Sequence, residues 1–433
     1  MDAFWPTFKK RVQMPPCQRE ATAGKPSTRM PDPEGVVLPL QDVLQDEFEV
    51  SVDNGQTVRQ GQKIGSIGKP PEHVAVHAPI AGEVAAVMLM PHPLVQQVTA
   101  IRIASNGSGA RQDASPFSES GSSDRLEFFR DMGIPLDYKV IKDLATLLIN
   151  VTEFEPSVSS KETLVIEEQE KFISGIKLLL EVSRAEKAVI VCESGNARLS
   201  AVLDEVCRAV AGASVQQVSR PYPDTVHELL RQRRLGGGAS GPDLYGVAVV
   251  EPGIVVAVHD AYYCGQPFIE QLVTVVGSAV RTPQNMWVKT GTMIKDIIQQ
   301  AGGNTENPRR VTLGGPLMGR PQYSLDAPLI KKARAVFVAA AIAFDEERKS
   351  RFYKRCPCVR CGKCVDVCPS GIMPNILADL VEHRRFDEAE RLGLFSCLEC
   401  GLCYYVCPSM IPLVELLKLG KLNSKGRDSL LIF

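Results

Sequence analysis

The stretch CVRCGKCVDVCP (residues 358–369) decides the fold of this chain, and it recurs as CLECGLCYYVCP (residues 397–408). Each copy has three cysteines spaced three residues apart, then a fourth cysteine four residues later with a proline directly after it. This is the spacing of bacterial two-cluster ferredoxins, in which the triplet binds one cluster and the fourth cysteine binds the other. The repeat therefore predicts two 4Fe–4S clusters and the transfer of single electrons.

The predicted assignment of cysteines to clusters is crossed. We expect cluster 1 to be held by Cys358, Cys361, Cys364 and Cys407, and cluster 2 by Cys397, Cys400, Cys403 and Cys368. Gly362 and Gly401 follow the second cysteine of each triplet, where the lack of a side chain lets backbone N–H groups approach the sulfurs. Cys356 lies outside the pattern and is interpreted as a thiol that is not a ligand.

Zinc and disulfides are the alternatives for so many cysteines. Structural zinc sites usually use two CxxC pairs, which differ from a triplet with a distant fourth cysteine and a proline. A disulfide framework suits a small secreted protein, whereas this chain has 433 residues and no signal-peptide pattern. Clusters of this kind predict that the protein is assembled in the reducing cytoplasm.

Composition limits the other classes of function. The formal net charge is −1, so binding to nucleic acid is not indicated. The longest apolar candidate, residues 333–344, is shorter than the roughly 20 residues of a membrane span and predicts a buried strand or helix. We find no set of side chains arranged for nucleophilic or acid–base catalysis, so no catalytic residue is predicted.

The fold class is predicted to be multidomain α/β and β with a helical cluster domain. The predicted units are an N-terminal arm (1–35), a barrel-sandwich domain (36–105), a linker (106–124), an α/β core (125–265), a β-grasp domain (266–320), a connector (321–350), the twin-cluster domain (351–420) and a tail (421–433). In the cluster domain, helical periodicity predicts a helix pair between the motifs and an apolar helix after the second.

Local patterns support these units. VDNGQTVRQGQKIG and VHAPIAGEV resemble the biotinyl/lipoyl barrel, but the hairpin tip IGKPPEHV lacks the carrier pattern around Lys69, which favours a structural or docking role. ATLLINV (145–151) and KAVIVC (187–192) are continuous apolar runs typical of buried parallel strands. Residues 245–258 are predicted to hold two more strands.

The order of these units resembles the RnfC family, the C subunits of Rnf ion-translocating electron-transport complexes. The resemblance covers about residues 36–420 and includes VHAPIAGEV, NVTEFEP, VTVVGSAV, GGPLMG and both cysteine motifs. It implies a peripheral subunit on the cytoplasmic face of the inner membrane, with the Rnf membrane subunits as partners. It also implies an α/β core similar to the flavin subunit of respiratory complex I, which binds FMN and NADH in typical members.

The chain departs from the family at two glycine-rich loops. The family loop GxGGAxFP corresponds here to DMGIPLDYKVIKD (131–143), which keeps Gly133 but places Leu136, Tyr138 and Val140 where glycines are expected. A second element, YPxGGE, reads YPDTVHE (222–228). Bulky side chains would block the close backbone approach that nucleotide phosphates need. We therefore predict that the FMN and NADH site is lost.

The segment NVTEFEP retains the acidic residues of the family. Asn150, Glu153 and Glu155 would contact flavin or nicotinamide in a typical member, or else they persist as hydrogen-bond acceptors that support the fold. Three functions follow: an electron relay whose soluble partner is a ferredoxin or cytochrome, a conventional FMN-containing NADH-linked subunit, or a docking scaffold with structural clusters. Bound flavin would favour the FMN-containing subunit, and redox-inert clusters would favour the docking scaffold.

Overall fold

The computed structural model shows four packed units in one chain. It describes residues 18–41, 47–68, 73–94, 97–113, 115–118, 124–136, 138, 141, 144–153, 155–218, 222–223, 247–305, 307–331, 333–340 and 355–424. Lys69 of the barrel hairpin tip therefore lies outside the described residues.

The first unit is a barrel-sandwich of two small antiparallel sheets. A two-residue strand, β1 (Thr28–Arg29), precedes it and joins a later sheet. The strands of the barrel-sandwich itself are β2 (Gly35–Pro39), β3 (Phe48–Val50), β4 (Thr57–Val58), β5 (Lys63–Ile67), β6 (Val74–His77), β7 (Gly82–Pro91) and β8 (Gln97–Ser105). Strands β2-β8-β7-β4 form one sheet and β3-β5-β6 the other. Their alternating apolar residues, among them Val36, Ile64 and Ile101, meet in one buried core.

The second unit is the predicted α/β core. It contains α1 (Arg125–Asp131), β9 (Thr146–Asn150), α2 (Ser160–Glu167), α3 (Gln169–Ser183), β10 (Lys187–Glu193), α4 (Ala197–Ala209), β11 (Ala213–Val218), β12 (Val247–Val250) and α5 (Pro252–Cys264). The four strands are parallel in the order β11-β10-β9-β12. Chain order reverses beside β9, where open α/β sheets place their ligand crevice at the carboxyl ends.

One strand prediction in this unit is wrong. The apolar run after Val250 is not a strand but the first half of α5. Pro252 stands in the first turn, where its fixed φ favours a helix, and Gly265 ends the helix in the left-handed conformation at φ 61°. The helix is apolar nearly all round and mostly buried, and it packs chiefly on α3, where a Cβ on Gly175 would overlap the Val255 carbonyl oxygen.

The third unit has the β-grasp pattern. Its elements are β13 (Glu270–Val276), β14 (Gln284–Lys289), α6 (Ile294–Gln300), β15 (Arg310–Leu313), β16 (Arg320–Pro321) and β17 (Ala335–Ala339). With β1 they form a sheet in the order β1-β14-β13-β17-β15-β16. Since β17 lies between β13 and β15, the sheet extends past the predicted boundary at residue 320, and β1 ties the N-terminal segment to it.

The fourth unit carries the cysteines. Its helices are α7 (Lys363–Asp366), α8 (Pro374–Glu382), α9 (Phe386–Arg391), α10 (Leu402–Tyr405) and α11 (Leu413–Asn423). The helix pair predicted between the motifs is α8 and α9, and the predicted apolar helix after them is α11. Helices α8 and α11 pack on one core that includes Leu377 and Leu417. In the part of the chain that the structure describes, no helix is both long and apolar enough to span a bilayer.

Candidate iron–sulfur site and the acidic segment beside it

The two cysteine motifs share one backbone conformation. Arg360 and Glu399, at equivalent positions, have φ 52° and 55°, and Gly362 and Gly401 have φ 75° and 72°. These left-handed turns aim backbone donors at sulfur: the N–H of Arg360 lies 3.4 Å from Cys358 Sγ and that of Glu399 lies 3.3 Å from Cys397 Sγ. Such N–H donors stabilise negative charge on cluster sulfurs.

The structure brings the fourth cysteine of each motif toward the triplet of the other. Cys368 lies close enough to Cys397, Cys400 and Cys403 to raise the pKa of each thiol, after the larger effect of burial. Cys407 likewise adds to the raised pKa of Cys364, after burial. The pKa of Cys397 reaches about 11 and that of Cys400 about 12, so iron binding has to release their protons. Grouped thiols with amide donors fit a 4Fe–4S cluster, and the ligand assignment itself stays a prediction.

The second motif lies against the rest of the protein. A Cβ on Gly401 would overlap the carbonyl oxygen of Leu317, in the turn between β15 and β16. The Tyr222 hydroxyl donates to the carbonyl oxygen of Cys400, and its ring packs with Met318 and Leu398. The α/β core and the β-grasp unit thus both contact the second cysteine motif.

Glu155 connects the α/β core to the same turn. Its buried carboxylate accepts hydrogen bonds from the backbone N–H groups of Leu317 (2.8 Å), Met318 (2.6 Å) and Gly319 (3.0 Å). Burial raises the pKa of Glu155 to about 7, while these three donors and the ammonium of Lys418 oppose that rise. The carboxylate therefore organises the backbone beneath the second motif.

The other two residues of the acidic segment also bind their own chain. Asn150 Oδ1 accepts from the Thr152 N–H at 3.1 Å and from its hydroxyl at 2.5 Å. Glu153 Oε1 accepts from the N–H groups of Lys161 (2.7 Å) and Glu162 (3.3 Å), in the first turn of α2. Burial raises the pKa of Glu153 to about 7, opposed by the charges of Lys161 and Arg19.

The altered glycine loop packs against the barrel. Gly133 has φ 71°, and a Cβ there would lie 2.6 Å from the Ala75 carbonyl oxygen and 2.7 Å from Lys331 Nζ. Tyr138 is buried, donates its hydroxyl to the Ile134 carbonyl at 2.8 Å and carries the Arg130 guanidinium 4.4 Å above its ring. Leu136 packs on the α/β core. Val140 and residues 224–228 lie outside the described residues.

Sequence reasoning missed the buried charges beside the second motif. Lys421 Nζ donates to the Cys397 carbonyl at 2.6 Å and to Glu399 Oε1 at 3.1 Å, and Lys418 donates to the Met318 carbonyl. Arg320 lies 3.8 Å from Glu399. The available signal was the pair of lysines three residues apart on a mostly apolar helix, where a buried lysine with no partner would be costly.

Models of known protein families match four segments of the chain. They are the RnfC barrel sandwich hybrid domain (residues 6–108), the Nuo51 FMN-binding domain (132–267), the SLBB domain (272–321) and the 4Fe-4S dicluster domain (357–411). Fold and site together define an iron–sulfur protein of the 4Fe–4S type whose α/β core has the fold of an FMN-binding domain.

Two relatives of known family align along most of the chain. The chain is 30% identical, over 96% of its length and 61% of the relative, to the C subunit of an ion-translocating oxidoreductase complex of Yersinia pseudotuberculosis. It is 27% identical, over 87% of its length and 85% of the relative, to the C subunit of the proton-translocating ferredoxin:NAD(+) oxidoreductase complex of Clostridium ljungdahlii. The chain belongs to the RnfC family, and it spans less than two thirds of the length of the Yersinia relative.

Among solved structures, an NAD+-reducing [NiFe]-hydrogenase in the H2-reduced state overlaps the chain. The TM-score is 0.46 at 16% identity, covering 73% of this chain and 64% of the hydrogenase chain.

Proposed function

We propose that this protein is the electron-relay subunit of a membrane-bound Rnf-type complex. It passes single electrons between a soluble redox partner and the membrane subunits through two 4Fe–4S clusters, with no NADH or FMN site of its own. It binds peripherally, at the cytoplasmic face of the inner membrane, through the other Rnf subunits. Membership of the RnfC family supports a role as a subunit of an Rnf-type complex. The soluble partner, the membrane face and the loss of the flavin site are our proposals.

The observation that carries the proposal is that the acidic segment is used internally. Glu155 is engaged by three backbone N–H groups and Glu153 by two, and Asn150 by Thr152. In addition, Gly133 lies against Ala75 of the barrel, and the Lys331 ammonium, from the segment before β17, donates to the Gly133 carbonyl at 2.6 Å. Side chains that hold the fold together do not need a flavin to explain their presence.

When bound, the clusters would supply reversible one-electron chemistry, and the eight motif cysteines would hold them. This chain's own residues then have positioning roles. The left-handed turns at Arg360 and Glu399 direct N–H groups at sulfur, and apolar side chains such as Leu398 and Leu402 exclude water from the second motif. No proton needs to move at any of these side chains.

A conventional flavoenzyme subunit is the second candidate, and one observation favours it. Glu153 Oε2 and Ser157 Oγ are buried without a hydrogen-bond partner among the described residues. Buried polar atoms are usually paired, so these two are available to a bound group. The domain model that matches this region is also named for FMN binding.

Cofactor analysis of anaerobically purified protein tests the two candidates. The relay predicts about eight irons per chain and no acid-released flavin, with no bleaching of the visible cluster absorbance by NADH alone. One FMN per chain, or rapid bleaching by NADH, would establish the flavoenzyme instead. Clusters that a strong chemical reductant cannot reduce would contradict both and indicate a structural role.

A further inference from the structure

The duplicated motif offers an internal comparison, because its two copies have opposite surroundings. In the second copy Leu398 is 7% exposed, and Glu399, Leu402 and all its cysteines are buried. In the first copy Val359 is 65% exposed, and Cys358 and Cys361 are exposed as well. The two motifs share one conformation, but the second is buried and the first is open to solvent.

The cover of the second copy is built from this chain. Gly401 touches Leu317, Tyr222 bonds the Cys400 carbonyl, and Glu399 pairs with Lys421 at 3.1 Å. At Gly362, the equivalent of Gly401, a Cβ would meet no described atom within 4 Å. The first copy thus lacks, within the described part of the chain, the cover that its twin has.

The residues around the open copy form what we term the cluster-1 surface. It comprises Val359, Arg360, Lys363, Val365, Met373 and Ile376. Its four apolar side chains are between 36% and 65% exposed. Such a small apolar patch with charged residues at its rim is the kind of surface through which single-electron carriers dock. Within the described residues, neither the Arg360 guanidinium nor the Lys363 ammonium has an ion-pair partner. Asp366 is the acidic residue of the first cysteine motif.

We propose that the cluster-1 surface docks an acidic one-electron carrier protein, with Arg360 and Lys363 contacting carboxylates of the carrier around the apolar centre. The proposal deepens the relay function above and rests on it, because it names where the soluble partner binds. The second copy carries Glu399 where the first carries Arg360, and that acid is neutralised internally by Lys421 and Arg320. The positive face is therefore particular to the open copy. Binding there places the carrier against Cys358 and Cys361, and the exchange is one electron lost by one protein and gained by the other.

Calorimetric titration with a small acidic ferredoxin, both proteins oxidised, tests the docking without requiring turnover. The double variant Arg360→Glu with Lys363→Glu should bind about tenfold or more weakly at low salt, and the wild-type affinity should fall as salt rises. Val359→Ser should weaken binding at every salt concentration. The control is Lys177→Glu with Arg198→Glu, which reverses two exposed cations on the α/β core and should leave the affinity within about twofold.

Iron content and the reduced-cluster EPR signal establish that each variant retains its clusters. Equal ferredoxin affinity for the wild type and the Arg360/Lys363 variant, or no wild-type binding, would overturn the docking proposal while leaving the relay intact. Stoichiometric FMN or clusters that resist chemical reduction would overturn the relay itself, so the two failures are distinguishable.

Discussion

The carboxylate of Glu155 accepts a hydrogen bond from the backbone N–H of Leu317 at 2.8 Å, across a separation of 162 residues. Leu317 in turn lies against Gly401 of the second cysteine motif. One acidic side chain of the NVTEFEP segment therefore links the α/β core to the backbone beneath the second cysteine motif. Loss of this link should affect both units.

Replacing Glu155 by alanine should destabilise the protein strongly. Three buried N–H groups would lose their acceptor, and each unsatisfied buried group costs about 1–3 kcal/mol before relaxation. Glu155→Gln keeps one carbonyl acceptor and should lose less. Thermal unfolding under anaerobic conditions, followed by circular dichroism and by iron release, measures both. If Glu155→Ala unfolded at the wild-type temperature, the linking role would be wrong.

This link shows where prediction from sequence ends. The helix pair between the motifs and the apolar strands β9 and β10 follow from periodicity that is local in the chain, and the structure contains them. The helix at Pro252–Cys264 is mistaken for a strand because its β-branched run GIVVAV has no polar face, and burial removes the helical signal. The partners of Glu155 and Lys418 belong to distant segments, so only the assembled units reveal them.

Stability near neutral pH should depend on Glu153. Burial raises the pKa of Glu153 in the folded protein to about 7, above its ordinary value of 4.5. Between those values the folded state holds the proton more tightly than the unfolded state, so stability falls as pH rises from about 4.5 through 7 and is level above. Glu155 behaves in the same direction, which makes a difference measurement necessary.

Glu153→Gln removes this titration, so its stability relative to the wild type should rise as pH goes from 6 to 8. Anaerobic denaturant unfolding of both proteins across that range gives the difference directly. A difference that stays constant with pH would mean that Glu153 is already ionised at pH 6, held by Lys161 and Arg19.

Gly133 should be required by packing rather than by a phosphate. Gly133→Ala places a methyl group 2.6 Å from the Ala75 carbonyl and forces a side chain into φ 71°, whereas Gly55→Ala meets the strain of φ 81° with no atom within 4 Å. Both variants should lose about 1 kcal/mol to backbone strain, and Gly133→Ala clearly more. Chemical denaturation compares them. Equal losses would remove the packing argument and reopen a ligand role for this loop.

Lys421 should raise the reduction potential of the cluster held by the second motif. Its buried ammonium lies at the Cys397 carbonyl, where low dielectric strengthens its attraction for the added electron. Lys421→Met should shift one of the two redox transitions to a more negative potential. Lys363→Met, at the exposed first motif, should shift the other transition less because solvent screens the charge. Redox titration followed by EPR distinguishes the two, and identical shifts would contradict the buried environment inferred for cluster 2.

Gly401 and Gly362 provide a matched test of the covered and open faces. Both have left-handed φ values, 72° and 75°, so alanine adds similar backbone strain to each motif. Only at Gly401 would the new methyl overlap another segment, the Leu317 carbonyl. We therefore expect Gly401→Ala to purify with iron lost from one cluster and Gly362→Ala to keep nearly all its iron. Iron and acid-labile sulfide per chain measure this, and equal iron loss would mean that the two motifs do not differ in cover.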